Sequence, residues 1–110
     1  MILINANDEF EVSMTTEEYT KFVESTRNYK SKEEDFYERL TGLAAEAGEV
    51  SGIYQKAIRD KTEVFRDDLV SELGDVLYYL TALASINNID LNELMVTNKE
   101  KLVKRGYGKK

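Results

Sequence analysis

Along the chain, apolar residues recur with the spacing of α-helices rather than of strands. Tyr19, Phe22, Val23 and Thr26 stand at i, i+3, i+4 and i+7, which lays one stripe of a first helix on a core. Thr15 is its expected N-cap, with Glu18 three residues on as capping-box partner. Arg27, Asn28, Tyr29 and Lys30 end it, and the polar link at 31–35 opens a second helix, expected over Glu34–Arg59. At about 100° per residue, Leu40, Leu43, Ala44, Ala47, Val50, Tyr54, Ala57 and Ile58 fall in one broad sector of it. A charged loop is expected at 60–67, then a third helix over Asp67–Asn87 whose apolar face is Leu69, Leu73, Val76, Leu77, Leu80 and Ala84. Asn87-Asn88 breaks that pattern. Asp90 caps a fourth helix with Glu93 as its capping-box partner, and Leu91, Leu94, Met95 and Leu102 form the stripe. Residues 1–13 read as an N-terminal arm, extended at Glu11–Met14, and 106–110 as a short basic tail. The expected fold is all-α: one domain over 1–110, with four main helices.

Two acidic phrases interrupt the apolar faces. Glu46-Ala-Gly-Glu49 and Glu72-Leu-Gly-Asp75 each place two carboxylates three residues apart, on one helix face with Cβ atoms about 5–6 Å apart. Glu46 lies inside the apolar sector and Glu49 at its border, with Lys56 close to Glu49's direction. On the third helix Asp68, Glu72, Asp75 and Tyr79 cluster along one edge. Such pairs are common on solvated helices, and either alone would carry little. Two pairs at apolar borders, with no basic residue four positions on, point instead to a shared cation, because four converging carboxylates repel one another. Gly42, Gly48 and Gly52 each weaken the second helix by about 1 kcal/mol relative to Ala, which fits a need for close backbone approach. Asp68 reads better as a charge favouring a helix N-terminus than as a ligand.

Composition narrows the chemistry. The chain has no cysteine and no histidine, which removes disulfides, thiol nucleophiles, Ser-His-Asp triads and His-ligated metal sites. A net charge of −6 argues against nucleic-acid polymers and anionic membranes. No apolar run is expected to reach the length of a membrane span, and Met1–Ile4 is too short for a signal peptide. The expected compartment is the cytoplasm. At 110 residues a chain folding alone buries roughly 60–65% of its unfolded surface, which favours a helical bundle completed by oligomerisation.

Carboxylates are hard oxygen ligands suited to Mg²⁺, which keeps waters and binds phosphate oxygens. Such an ion orients a polyphosphate and lowers the pKa of a water, and a carboxylate it does not fully occupy can take the proton. Asn98, Lys101 and Arg105 fall on or beside the fourth helix's apolar stripe, where they point as the core points and offer donors to phosphates.

Three phrases in order, Gly42-Leu-Ala-Ala-Glu-Ala-Gly-Glu-Val50, Glu72-Leu-Gly-Asp-Val-Leu-Tyr-Tyr-Leu80 and Asn98-Lys-Glu-Lys-Leu-Val-Lys-Arg105, resemble the MazG family over about residues 14–107. That family comprises all-α nucleoside triphosphate pyrophosphohydrolases related to the all-α dUTPases. The resemblance implies that Glu46, Glu49, Glu72 and Asp75 bind Mg²⁺, with Mn²⁺ as a substitute, and form the catalytic set. It further implies that Lys56, Asn98, Lys101 and Arg105 contact phosphates. A (d)NTP would be cleaved between its α- and β-phosphates to (d)NMP and pyrophosphate, by a homodimer or homotetramer. Phe36 and Tyr37 are candidates for lining a base pocket, whereas Tyr54 and Tyr79 suit a core or interface. The rival readings are a non-catalytic helical dimerisation module that keeps a divalent site, and a di-metal redox bundle, which the absence of histidine disfavours.

Overall fold

Helices begin where the sequence supplies a cap. In the computed structural model, which describes residues 12–29 and 31–108 and the backbone of Leu3–Ile4, Thr15 and Glu18 close the expected capping box. Thr15 Oγ1 accepts from the Glu18 N–H and the Glu18 carboxylate from the Thr15 N–H, both at 3.0 Å. That starts α1 (Thr16–Ser25). Ser31 Oγ accepts from the Glu34 N–H at 3.1 Å, so α2 (Lys32–Asp60) begins ahead of the expected Glu34. α3 is Arg66–Ile86 and α4 is Leu91–Lys104. Asp90 does cap α4, but its carboxylate accepts from the Asn92 N–H at 3.0 Å, an Asx turn in place of the expected box with Glu93.

The expected charged loop at 60–67 is resolved differently. α2 continues through Asp60, and Lys61 closes it in the left-handed region at φ 55°. The Lys61 and Thr62 N–H groups both reach the Ala57 carbonyl, the pattern that satisfies helix-end carbonyls. Val64–Phe65 then forms a strand, β2, parallel to β1 (Leu3–Ile4), with Leu3 opposite Val64 and Ile4 opposite Phe65. A ladder this short has no period for a sequence pattern to reveal. Within the expected arm, Glu11 lies outside the described residues, and Val12–Met14 are exposed and form no regular element.

The frame is all-α: an antiparallel α2–α3 pair, with α1 packed on α3 and α4 packed on α1. Small side chains fill the centre of this frame: Ala57, Ala82, Ala84 and Thr81 are buried together with Val23, Val64 and Leu91. Of the residues expected to make α3's inner face, Ala84 is buried and Leu69 and Val76 are half-buried, whereas Leu73, Leu77 and Leu80 are exposed. Val70, Leu73, Leu77 and Leu80 stand 46%, 48%, 42% and 37% exposed, at steps of three, four and three that put them on one stripe. α3 is therefore two-sided: Glu72, Asp75, Tyr79 and Ala82 lie toward α2. The apolar stripe on another side is only partly covered, with Leu77 and Leu80 bordering a groove shared with Tyr19 of α1 and Leu94 of α4. The radius of gyration, 16.7 Å, exceeds the roughly 13–14 Å of a compact domain this size.

α3 also corrects the expectation that no stretch reaches membrane-span length. The helix has 21 residues, and an 18-residue window of it has a mean hydropathy of 1.3, so it passes that test by length and composition only. Of the three α2 glycines, Gly42 alone has a tight neighbour: a Cβ there would meet the Tyr79 ring at 2.4 Å, whereas at Gly48 and Gly52 it would meet nothing within 4 Å.

Candidate metal and nucleotide site

Glu46 projects from the middle of α2, and Glu72 and Asp75 project from α3 opposite it. One carboxylate oxygen from each can be chosen so that all three lie within 4.8 Å of one another. Glu46 and Glu72 are half-buried and Asp75 is exposed, so the cluster sits at the lip of the helix pair. Partial burial pushes the Glu46 carboxyl above its ordinary range, and the charges of Asp75, Glu72 and Glu49 push it further. Crowded carboxylates that raise one another's proton affinity are a set a divalent cation would relieve. Three hard oxygen donors with an open side fit Mg²⁺ or Mn²⁺, which fill the remaining positions with water or phosphate.

Glu49 stands outside the three-acid cluster, one turn along α2, and lines a cleft of about 560 Å³ with Glu72. Lys56, Arg59 and Asp68 share that cleft, as do Thr62–Phe65 from the α2–α3 connection. Asp68 is in the first turn of α3, as expected of a helix N-terminal charge, and also borders the cleft. The structure thus places Glu46, Glu49, Glu72, Asp75 and Lys56 along the half of the α2–α3 pair nearer the connection between the two helices.

It does not bring the fourth helix's groups there. Asn98, Lys101 and Arg105 are exposed, against the expectation that they point with the core. Lys101 and Arg105 border a separate shallow depression with Thr97, Glu100 and Lys104. Phe36 and Tyr37 contact each other edge to face, with centroids 5.6 Å apart, and neither lines the cleft.

Sequence reading missed the polar cluster above the acids. Arg39, 3% exposed, forks onto Asp35, with Nε–Oδ1 at 2.8 Å and Nη2–Oδ2 at 2.7 Å. It also donates to Glu24 of α1 at 2.6 Å and to the Ala82 carbonyl of α3 at 2.6 Å. Arg27 pairs with Glu38 and, at 3.3 Å, with Asp35, under the rings of Tyr29, Tyr78 and Tyr79. Tyr79 donates its hydroxyl to Glu38 at 2.8 Å, a bond that holds the phenol pushed up to about 12. The available signal was spacing: Arg39 lies seven residues before Glu46, on the same stripe of α2.

The site is thus an all-α frame that gathers carboxylates from two antiparallel helices beside a cleft holding a lysine and an arginine. The chain belongs to the MazG family, since the model of the MazG nucleotide pyrophosphohydrolase domain matches residues 35–107. It is also 41% identical over 68 residues to the "Gene 37 protein" of Mycobacterium phage L5, an alignment covering 58% of this chain. The aligned part spans 60% of that relative's length. No solved structure matches.

Proposed function

We propose that the protein is a Mg²⁺-dependent pyrophosphohydrolase that cleaves a (d)NTP between the α- and β-phosphates, releasing (d)NMP and pyrophosphate. The observation that carries this reading is the convergence of Glu46, Glu72 and Asp75 beside a cleft that also holds Glu49 and Lys56. When bound, a divalent ion supplies charge neutralisation for the phosphates and makes a nearby water more acidic. Glu46, Glu72 and Asp75 would hold that ion. Glu49, outside the trio but on the cleft wall, would take the proton of the attacking water. Lys56 would pair with phosphate oxygens as a point charge, and the wall formed by Gly52 and Ile53 would limit access of bulk water.

In this reading Asn98, Lys101 and Arg105 bind phosphates in an assembly of two or four copies. The partly covered stripe Val70, Leu73, Leu77, Leu80 supports such an assembly, since it has the spacing of a helix–helix seam. A protein of this kind needs neither a nucleic-acid polymer nor a membrane, and would work in the cytoplasm. The competing reading, a dimerisation module that merely keeps a divalent site, predicts binding without turnover. Incubation of NTPs and dNTPs with Mg²⁺, followed by ³¹P NMR, separates the cases. Nucleoside monophosphate plus pyrophosphate is expected. Nucleoside diphosphate plus orthophosphate, or no turnover of any substrate, would overturn the proposal.

A further inference from the structure

Along α2, Arg39, Gly42, Glu46 and Glu49 follow one another at steps of three, four and three, one stripe down the helix. α3 carries Ala82, Tyr79, Asp75 and Glu72 at the same steps in the opposite direction. Each facing pair can be checked. Arg39 donates to the Ala82 carbonyl at 2.6 Å, the Tyr79 ring occupies the space a Cβ on Gly42 would need, and Glu46 meets Asp75 in the acid cluster. Glu49 and Glu72 share the cleft wall. The acids are thus the lower half of one continuous seam.

That lower half cannot align itself, because without a cation its carboxylates repel. The upper half has what alignment requires. Gly42 admits the Tyr79 ring against the α2 backbone, and the hydroxyl of that ring is tied back to Glu38 on α2. Arg39 joins α2 to α1 through Glu24 and to α3 through Ala82. A slip of one residue would carry Glu46 past Asp75 by about the 1.5 Å helical rise.

We propose that Gly42, Tyr79 and Arg39 are positioning residues, a register lock that presents the two acidic phrases to each other before any ion arrives. Its consequence for metal binding rests on the functional reading above; the register itself does not.

Because the chain has no cysteine, a Glu46→Cys/Asp75→Cys pair reports register in metal-free protein, since disulfides close only where Cα atoms come within about 7 Å. The rate of oxidation in that pair is the reference, and it should be unchanged with Gly48→Ala added, whose new Cβ meets nothing within 4 Å. Adding Gly42→Ala instead, a substitution of equal helix propensity, should slow it about tenfold or more, the scale on which ångström misplacement acts. Tyr79→Ala on top of Gly42→Ala returns the space and should recover folding, but not the rate, because the ring and its tie to Glu38 are then gone. In parallel, Mn²⁺ titration of the chain with native carboxylates should show binding weakened about 10–100-fold by Gly42→Ala and unchanged by Gly48→Ala. Equal cross-linking of the Gly42→Ala and Gly48→Ala proteins would overturn the lock, as would failure of Tyr79→Ala to rescue a Gly42→Ala chain that does not fold. A native chain that binds no Mn²⁺ while the cross-linking contrast holds would overturn the metal-site reading and leave the lock standing.

Discussion

Replacing Arg39 with Met keeps most of the aliphatic stem and removes the guanidinium that joins three helices. Hydrogen bonds to charged groups contribute about 1.5–3 kcal/mol each, and breaking a fully buried ion pair costs about 3–5 kcal/mol. The Arg39 side chain is only 4% exposed, but its partners reach water, Asp35 being 18% exposed and Glu24 39%. Both carboxylates can therefore rehydrate, which brings the expected loss to about 2–4 kcal/mol, the difference being the solvation the buried-pair figure leaves out. Against a typical total of about 5–15 kcal/mol the variant should fold and be visibly weaker. Urea unfolding followed by far-UV circular dichroism, at pH 7 with chelator and fixed protomer concentration, measures it. A loss below about 0.5 kcal/mol, the level of an exposed ion pair, would show that Arg39 does not tie the three helices together. The pH dependence has a defined sign. Hydrogen bonding from Arg39 holds the carboxyls of Asp35 and Glu24 below their ordinary range, so their stabilisation is complete above the unfolded values near about 4. It is lost as pH falls through the folded values. The native chain should therefore lose stability more steeply below about pH 4 than Arg39→Met, which has less of it to lose.

Two further outcomes follow from the same geometry. Glu46 carries a raised pKa, so its ionisation works against the metal-free fold as pH rises through the folded value. In chelator at pH 7, Glu46→Gln should raise the Tm while abolishing the Tm increase that Mn²⁺ gives the native chain; a lowered metal-free Tm would contradict this. Lys61 holds a left-handed conformation that L side chains resist, so Lys61→Gly should stabilise by about 0.5–1 kcal/mol in urea titration after glycine's greater unfolded-state freedom is counted, and a destabilised variant would show that the side chain itself matters.

Much of the frame was legible because each helix announces itself. Thr15 with Glu18 and Asp90 mark two of the four starts, and α3 carries a long apolar stripe between its acids, whereas the Ser31 cap lies in a stretch that looks only like a polar link. What the sequence could not show was which face of α3 meets which neighbour. Leucine periodicity points to the stripe that this chain leaves partly open, whereas the face of α3 toward α2 carries Ala82 and Tyr79, whose ring takes the space beside Gly42 of α2. Period alone does not distinguish a face that packs within the chain from one left for another. The acids were legible for a related reason: Glu46 and Asp75 are anomalous in apolar surroundings. Arg39 was not, because an arginine on a charged helix looks solvated until Glu24 and Ala82, distant in sequence, are seen around it. The fourth helix misled in the opposite direction, since Lys101 and Arg105 adjoin a stripe whose Leu91 is buried and whose Leu94 and Leu102 are half-buried, yet are themselves exposed.

The central claim is that a divalent ion sits where the two acidic phrases face each other. Crystals grown with Mn²⁺ and measured at the manganese edge test it most directly. The account predicts an anomalous peak within coordination distance, about 2.0–2.6 Å, of carboxylate oxygens from Glu46, Glu72 and Asp75. A peak elsewhere, or none at saturating Mn²⁺, would contradict it.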